Sequence, residues 1–296
     1  MTRFSLLNQP KTNLIFYKTD EEIELLRESC LLVCKVLTHV AANLRPGIKG
    51  SRLDREAEEL IRDHGATPAF KGYVGAGSDK EFPSTLCVSM NEVVVHGIPS
   101  DEVEFKDGDI VSVDCGVLMN GYHGDAAYTF AIGEVDEAIM ELLRVTKTSL
   151  YKGIEQAVHG KRIGDIGYAI QSYTERTCGY SVVRELVGHG VGKDLHEDPE
   201  VPNYGKRGNG VLMKEGMVIA IEPMINLGKK EVMQGKDGWT IMSADKKPSA
   251  HYEHTVAVRK HQADILSDHQ PIEAAVASNP ELKSVESKIE IGAMLV

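Results

Sequence analysis

The feature that most restricts the fold of this sequence is a tight turn at Asn120-Gly121, which joins two runs of strand-forming residues. Asn-Gly supplies the two positive-φ positions that a type I′ turn requires, so the segment VSVDCGVLMNGYHGDAAYTF is predicted to form a β-hairpin. The register set by this turn places Gly116 opposite Asp125. Asp114 then lies diagonally across from Asp125 on the same face of the hairpin. The turn therefore predicts that two carboxylates converge.

Two carboxylates at this separation repel each other. The repulsion raises the pKa of one of them unless a cation or a shared proton compensates for it. A pair on a solvated face would need no such partner, and the hairpin alone does not decide between a solvated pair and a metal site. The decision depends on the other ionisable residues that the fold brings near Asp114 and Asp125.

Two histidines and two further carboxylates lie in segments that predict buried structure. GHGVGKDLHEDP places His189 and His196 among glycines, which let backbones approach closely. The strand-like runs VIAIEP and HYEHTVAV carry Glu222 and Glu253, and a charged residue in a buried strand needs a partner. Each residue alone has an ordinary explanation, such as a salt-bridged glutamate or a core histidine. Four carboxylates and one imidazole together suit two divalent ions such as Mn²⁺, Fe²⁺, Co²⁺ or Zn²⁺.

The chemistry predicted from this set is metal-assisted amide hydrolysis. Two ions about 3.5 to 4 Å apart generate a bridging hydroxide and polarise a carbonyl group. A structural zinc site would use thiolates instead. The cysteines are scattered without a C-x-x-C pair, which is typical of free thiols in a reducing compartment, and they are Cys30, Cys34, Cys87, Cys115 and Cys178.

The helical pattern divides the chain into two similar halves. One capping-box pattern predicts that a helix begins at Thr19, and a second predicts that another begins at Ser51. Further helices are predicted from about Asp136 to Val158 and from about Gly164 to Thr177, and short strands follow each pair of helices. This order indicates an internal duplication. Two αβ halves that face each other leave a cleft, which is a common place for an active site.

We expect three segments along the chain. The catalytic domain covers residues 19–266, in pseudo-repeats of about 19–133 and 134–266. An N-terminal extension, residues 1–18, precedes it. The last segment, residues 267–296, has prolines among polar residues and no convincing periodicity, so it is predicted to be a partly disordered appendage.

The charge balance excludes some functions. The 33 basic and 44 acidic residues give a net charge of −11, which argues against coating nucleic acid or binding anionic membranes. The N-terminus lacks a basic region followed by an apolar one, and no apolar run reaches membrane-spanning length. We therefore expect a cytoplasmic protein that contacts no membrane and reads no nucleic acid directly. A monomer is expected as well, although the charge balance does not bear on it.

Several motifs resemble the type I methionine aminopeptidase family. SMNEVVVHGIP, VDCGVLMNGYHGDAAYTF, GHGVGKDLHEDP, GMVIAIEP and SAHYEHTVAV occur in the family's order and spacing, over roughly residues 19 to 262. The resemblance implies the α+β pita-bread fold, in which a pseudo-two-fold pair of αβ halves surrounds a curved antiparallel sheet. It also implies removal of the N-terminal methionine from nascent proteins and peptides, preferably before a small second residue, by a metal-bridging hydroxide.

The resemblance also implies roles for individual residues. Asp125 and Glu253 would bridge two divalent ions of Co, Mn, Fe(II) or Zn. His96 would lie near the scissile amide nitrogen, and His196 would bond the substrate carbonyl oxygen. Glu222 would move a proton from the bridging water to the leaving amine. The full set of implied metal ligands is Asp114, Asp125, His189, Glu222 and Glu253.

Two further sites follow from the same resemblance. An apolar pocket for the flexible methionine thioether would be built from Tyr73, Cys87, Trp239 and Phe82. A monovalent-cation site would use the carbonyls of Asn91 and Val93 together with Ser249. The partners implied are the N-terminus of a peptide or nascent polypeptide and, transiently, the ribosome.

This sequence departs from the family's usual pattern in three places. The loop VGAGSDKEFPSTL, between Tyr73 and Cys87, is longer than in compact bacterial relatives. Position 195 is Leu where an aromatic residue is common, and position 251 is His where Gln is frequent. These departures affect the shape of the pocket and the local proton affinity, whereas the catalytic class is unaffected.

Three alternative functions compete with this prediction. An X-Pro exopeptidase of the same fold usually carries a separate N-terminal domain, and about 18 residues precede the first predicted helix here. A non-catalytic relative that binds protein or RNA would have lost metal ligands, whereas all five expected ligands are present. A cysteine hydrolase built on Cys87 and His96 would leave the buried carboxylates unexplained.

Overall fold

The computed structural model describes residues 14–75 and 80–287 of the chain. Within these ranges it contains five α-helices: α1 Asp20–Asn43, α2 Gly50–Asp63, α3 Glu137–Ile154, α4 Ile163–Gln171 and α5 Gln270–Ser278. A π-helical segment, Ser172–Thr177, continues α4. Parts of the predicted N-terminal extension, the long loop and the C-terminal appendage lie outside the described residues. No helix within the described ranges is long and apolar enough to cross a membrane.

The strands of the described ranges are short, apart from two that form a long hairpin. In chain order they are β1 Thr67–Pro68, β2 Leu86–Met90, β3 Val93–Val95, β4 Ile110–Met119, β5 Tyr122–Ile132, β6 Ser181–Val182, β7 Gly188–Gly190, β8 Glu197–Val201, β9 Val218–Ile221, β10 Met224–Asn226, β11 Val232–Gln234, β12 Ile241–Ser243, β13 Ser249–His251, β14 His254–Ala257, β15 Asp264–Ile265 and β16 Leu282–Lys283. All pair antiparallel, which agrees with the predicted α+β class.

Two sheets carry the residues of interest. The first has the order β1-β4-β5-β16, and β2 pairs with β4 along the same edge as β1. The second has the order β15-β14-β9-β7-β8. Two three-stranded sheets, β13-β10-β6 and β11-β12-β3, complete the described strands. The first large sheet comes from the N-terminal half of the chain, except for β16, and the second comes from the C-terminal half. Each half therefore contributes one of the two sheets that carry the residues of interest.

The hairpin formed by β4 and β5 has the predicted register. Asn120 and Gly121 both have positive φ, at 54° and 80°, as a type I′ turn requires. Gly116 pairs with Asp125, which confirms the register inferred from the turn. Gly124 lies against α1 so closely that an added Cβ would be 2.4 Å from the backbone nitrogen of Cys30. The hairpin therefore packs directly on the backbone of α1.

The predicted start of α1 is confirmed, and that of α2 is wrong. Thr19 and Glu22 form the reciprocal capping box before α1. Helix α2 begins at Gly50, after an N-cap at Lys49, so Ser51 lies inside the first turn. The Ser51 hydroxyl instead donates to Asp101 at 2.5 Å. The Ser51 side chain therefore makes a tertiary hydrogen bond and does not form the N-cap that the pattern predicted.

The second pair of helices lies close to the prediction. Asp136 caps α3, but the helix ends at Ile154 rather than Val158, and turns follow it. Helix α4 starts one residue before the predicted Gly164, and its continuation ends at the predicted Thr177 in a wider π-helical segment. A helix pair followed by strands thus occurs in both halves of the described chain, and the duplication itself stays a prediction.

The C-terminal segment carries secondary structure that its sequence pattern did not predict. Helix α5 and strand β16 both belong to it, and β16 extends the first large sheet along β5. The amide of Asn279 donates to the carbonyls of Ala41 and Leu44 at the end of α1, at 2.8 and 2.9 Å. The ammonium of Lys147, on α3, is buried and pairs with Glu273 at 2.7 Å. Long-range contacts rather than local periodicity hold this segment.

Replacing Asn279 with Ala should destabilise the protein, because it leaves two carbonyls at the end of α1 without their side-chain donor. The expected loss in the free energy of unfolding is about 1 to 2 kcal/mol, measured by urea denaturation. Ser278→Ala is the control, since the Ser278 hydroxyl bonds Ala274 within its own helix. Equal urea midpoints for the two variants would contradict a capping role for Asn279.

Candidate active site

Asp114 and Asp125 lie diagonally opposite each other across the hairpin and hydrogen-bond through their side chains. Such a bond needs a proton on one of the two carboxyl groups. Burial raises the pKa of Asp114 to about 7. Burial, followed by the charges of Asp114 and Glu222, raises the pKa of Asp125 well above its usual range. The two groups cannot both ionise at neutral pH unless a cation joins them.

His189 lies on β7, in the second large sheet, and points toward these carboxylates. Its Nδ1 donates to the carbonyl of Gly190 at 2.9 Å, because a carbonyl oxygen can only accept. This bond leaves Nε2 as the acceptor nitrogen. Nε2 is 3.7 Å from Asp125 Oδ2 and 3.6 Å from Glu222 Oε1. Burial lowers the pKa of His189 to about 4, so the ring is neutral near pH 7 and its lone pair faces the acids.

Glu222 and Glu253 complete the acidic group from the second sheet. Glu222 directly follows β9, and Glu253 lies between β13 and β14. The backbone nitrogen of Glu253 donates to the carbonyl of Ala127 on β5 at 3.0 Å, which ties the two sheets together at the site. Burial is the main cause that raises the pKa of each glutamate well above its usual range, and the charge of Asp114 adds to the effect.

The chemistry of this group fits a divalent metal. Asp125, His189 and Glu253 are buried, and each offers a ligand atom within 4.8 Å of the others. Asp114, Asp125 and Glu253 also each have one buried carboxylate oxygen without a hydrogen-bond partner. Buried polar atoms are rarely left unpaired in folded proteins, and metal coordination would supply the missing partner. Carboxylate oxygens with one imidazole suit Mn²⁺, Fe²⁺, Co²⁺ or Zn²⁺.

His196 and His96 lie beside the acidic group. The His196 ring is 4.2 Å from the His189 ring and 5.1 Å from the Tyr73 ring, measured between centroids. His196 is exposed to solvent, although desolvation by the protein around it and the neighbouring His189 lower its pKa. His96 has a positive φ of 58° and stands edge-on to Trp239 at 6.3 Å. Burial lowers the pKa of His96 to about 4.

The four residues predicted to line an apolar pocket lie in one cluster. Phe82 and Cys87 are buried there, and Tyr73 and Trp239 border them. Phe82 meets Trp239 edge-on at 5.3 Å. Cys87 pairs with Asp114 across β2 and β4, so the cluster adjoins the acidic group. Burial, with the charge of Asp114, raises the pKa of Cys87 well above its usual range, which disfavours the thiolate that a cysteine hydrolase needs.

Phe70, which was not among the predicted pocket residues, is buried in the same apolar cluster. A Cβ added to Gly116 would lie 2.5 Å from the Phe70 ring. A glycine inside a strand often marks such a close approach, so Gly116 was a readable signal. Leu195, noted as a departure from the family pattern, also lies buried in this cluster. His251, another departure, places Nε2 at 3.6 Å from Glu222 Oε2.

Two of the three residues predicted for a monovalent cation are joined by a hydrogen bond. The Ser249 nitrogen donates to the Asn91 carbonyl at 2.8 Å. Asn91 has a positive φ of 50°, and Val93 begins β3 two residues later. The Ser249 hydroxyl donates to Ile225 at 3.2 Å. A cation-binding role for these residues stays a prediction.

Comparisons with known proteins agree with this geometry. The profile of metallopeptidase family M24 matches residues 24–260. The methionine aminopeptidase of Clostridium perfringens is 49% identical over 254 residues, which cover 86% of this chain and 99% of that protein. Methionine aminopeptidase 1 of Bacillus subtilis is 46% identical with the same coverage of both chains.

Solved structures give the same result. The methionine aminopeptidase of Thermotoga maritima superposes with a TM-score of 0.82 at 42% identity, covering 86% of this chain and all of that one. The prolidase of Pyrococcus furiosus reaches a TM-score of 0.68 at 24% identity, covering 86% of this chain and 66% of that one. The second likeness shows a shared fold alone.

Divalent metal should stabilise the metal-free protein. A ligand at a hundredfold excess over its Kd adds about 2.7 kcal/mol to the free energy of unfolding, so added Mn²⁺ should raise the Tm in a thermal melt. Asp125→Asn should remove most of this rise, because it removes a ligand oxygen. Asp63→Asn, at the exposed end of α2, is the control and should keep the rise. The same rise in all three proteins would place metal binding elsewhere.

Proposed function

The chain belongs to metallopeptidase family M24, and we propose that it acts as a methionine aminopeptidase that removes the N-terminal methionine from nascent proteins and peptides. The observation that carries the proposal is the metal-fitting group of Asp125, His189 and Glu253, which lies beside an apolar cluster. The family match also confirms the pita-bread fold expected from the sequence.

The proposed metal centre uses five side chains from both halves of the chain. It consists of Asp114, Asp125, His189, Glu222 and Glu253. When bound, two divalent ions would supply an activated water and polarise the scissile carbonyl. Asp125 and Glu253 would be among the residues that hold the ions, since each has, like Asp114, a buried carboxylate oxygen without a hydrogen-bond partner. The rigid hairpin and the Glu253–Ala127 bond hold these two carboxylates in place before any ion binds.

Glu222 is proposed to move the proton during the reaction. Its carboxylate is only partly buried, whereas Glu253 and Asp125 are almost fully buried. We propose that this carboxylate takes a proton from water and passes it to the leaving amine, since its partial exposure leaves it accessible to both. This transfer completes the hydrolysis: the amide C–N bond breaks, water supplies the new C–O bond, and the amine leaves protonated.

His196 and His96 are proposed to contact the substrate. Their pKa values are lowered, so both rings are neutral near pH 7 and each carries one N–H donor. His196 would donate to the substrate carbonyl oxygen, where negative charge develops. His96 would lie near the scissile nitrogen. The exposure of His196 to solvent is consistent with a ring that a substrate covers on binding.

Specificity for methionine would come from the apolar cluster. Tyr73, Phe82, Cys87 and Trp239 offer aromatic and sulfur surfaces, which suit the polarisable thioether of methionine. A small second residue of the substrate is proposed to be preferred. The X-Pro alternative is not favoured, because the relatives that match at 46–49% identity are methionine aminopeptidases.

We extend the proposal to partners and location. The substrate is a peptide or nascent N-terminus, and the enzyme is proposed to act as a cytoplasmic monomer that visits the ribosome transiently. A net charge of −11 supports solubility. A monovalent cation at Asn91, Val93 and Ser249 and a catalytic unit of residues 19–266 are parts of the same proposal.

Glu222→Gln should abolish methionine release from a Met-Ala-Ser peptide, with an Ala-Pro-Ala peptide as specificity control. The loss should be at least about a hundredfold in kcat, because glutamine cannot carry the proton. Glu59→Gln, on the exposed face of α2, should keep wild-type activity. Near-normal turnover of Glu222→Gln with excess Mn²⁺ would refute its assignment, and cleavage of the proline peptide alone would refute the function.

His196→Ala should lower kcat by about a hundredfold or more, because it removes a donor to the developing charge, while bound metal stays unchanged. Metal content is measured by elemental analysis of the dialysed protein. Loss of metal in this variant would make His196 a ligand rather than a substrate contact.

A further inference from the structure

One buried ion pair lies outside the proposed catalytic set. The Lys18 ammonium is 2.5 Å from Glu197 Oε2, and each side chain is 5% exposed. Lys18 comes just before α1, whereas Glu197 begins β8, 179 residues later. A buried ion pair is expensive to desolvate, and apolar residues of similar volume often stabilise a fold at least as well. A contribution to stability therefore does not explain why this pair is buried at this position.

The Glu197 carboxylate lies inside the loop that joins β7 to β8. The Asp194 nitrogen donates to Glu197 Oε1 at 3.4 Å. A Cβ added to Gly192 would lie 2.1 Å from the same oxygen, so the carboxylate lies directly against the loop backbone. The Gly192 carbonyl also accepts from the His123 nitrogen on β5 at 2.9 Å. The Glu197 carboxylate thus contacts the loop on one side, and a hydrogen bond from the hairpin holds the loop on the other side.

Lys18 is itself held firmly. Its backbone nitrogen donates to the Gly216 carbonyl at 2.7 Å, and its ammonium also donates to the Phe16 carbonyl at 3.2 Å. Gly216 has a φ of +83°, and an added Cβ would lie 2.5 Å from the Lys18 carbonyl oxygen. The N-terminal segment is therefore fitted closely against this part of the fold, and the ammonium reaches Glu197 from a fixed backbone.

The supported loop carries His196. This histidine immediately precedes Glu197, and its ring lies 4.2 Å from the His189 ring. Glu197 pairs with Gly190 at the base of the loop, next to His189. A shift of the Glu197 backbone would consequently move the His196 ring relative to the metal-fitting group.

We propose that Lys18 and Glu197 are positioning residues, whose ion pair fixes the loop of residues 191–196 so that His196 faces the substrate carbonyl. The inference rests on the proposed role of His196. Lys18 touches no reacting atom in this scheme. It acts through Glu197, and Glu197 acts through the loop.

Lys18→Met should lower kcat at least about tenfold and change KM by less than about threefold, with bound Mn²⁺ unchanged. The reason is that only the orientation of the His196 ring toward the substrate is lost. Lys18→Arg should recover most of the rate, because it restores the cation. Arg27→Met is the matched control, because it removes another ion pair of the N-terminal region, to Asp264, without touching the loop. Wild-type kcat in Lys18→Met would overturn the proposal.

A double-mutant cycle with His196→Ala separates positioning from general damage. If Lys18 acts through His196, Lys18→Met should change kcat by less than about twofold when His196 is already Ala. Full multiplication of the two losses would show that Lys18 works independently, which would overturn the proposal. A wild-type protein that releases no methionine would instead refute the proposed function and leave no cycle to measure.

A second variant covers the case in which Lys18→Met does not fold. Lys18→Met combined with Glu197→Met removes both buried charges, so no unpaired charge remains and the Tm should stay near the wild-type value. The loop would still lack its support, so kcat should remain at least about tenfold low. A stable double variant with wild-type kcat would show that the pair does not position His196.

Discussion

The repulsion among four carboxylates in one small volume is the constraint on which the rest of this structure depends. Asp114 and Asp125 share a face of one hairpin, and Glu222 and Glu253 approach them from the opposite sheet. Burial makes ionisation of each group costly, as their raised pKa values indicate. The surrounding fold must therefore hold these groups together against their charge until cations or protons neutralise them. Divalent ions do both tasks, since they neutralise the charge and supply the chemistry.

The two halves of the chain meet where this repulsion is strongest, and backbone bonds join them there. The Glu253 nitrogen bonds Ala127, and the Thr255 hydroxyl donates to the Asp125 carbonyl at 2.8 Å. One bond connects β5 to β14, and the other connects β5 to the residue just before β14. Both lie directly beside the acidic side chains. The halves are therefore joined by uncharged groups at the place where their charged groups repel, so these two bonds do not depend on the protonation of the carboxylates.

Local chemistry made some features predictable, and distance along the chain hid others. Asn120-Gly121 determined the hairpin register because a type I′ turn depends on two residues alone, and this register placed both aspartates. The capping pattern at Ser51 predicted the wrong helix start, because the Ser51 hydroxyl donates to Asp101, fifty residues away. The Lys18–Glu197 pair spans 179 residues and has no local signature. Five ionisable residues could be grouped from motifs, but which backbone supports each one depends on contacts that no short pattern records.

The cap on α1 has a consequence for the order in which the chain completes its fold. The last carbonyls of α1 bond Asn279, a residue 235 to 238 positions later, and β5 gains its outer neighbour from β16. Synthesis proceeds from the N-terminus, so the first helix and the hairpin exist long before the residues that close them. The metal-fitting group can be assembled only after about residue 253 has emerged. An enzyme proposed to trim unfinished polypeptides thus cannot complete its own fold until Asn279 and β16, which contact α1 and β5, have been synthesised.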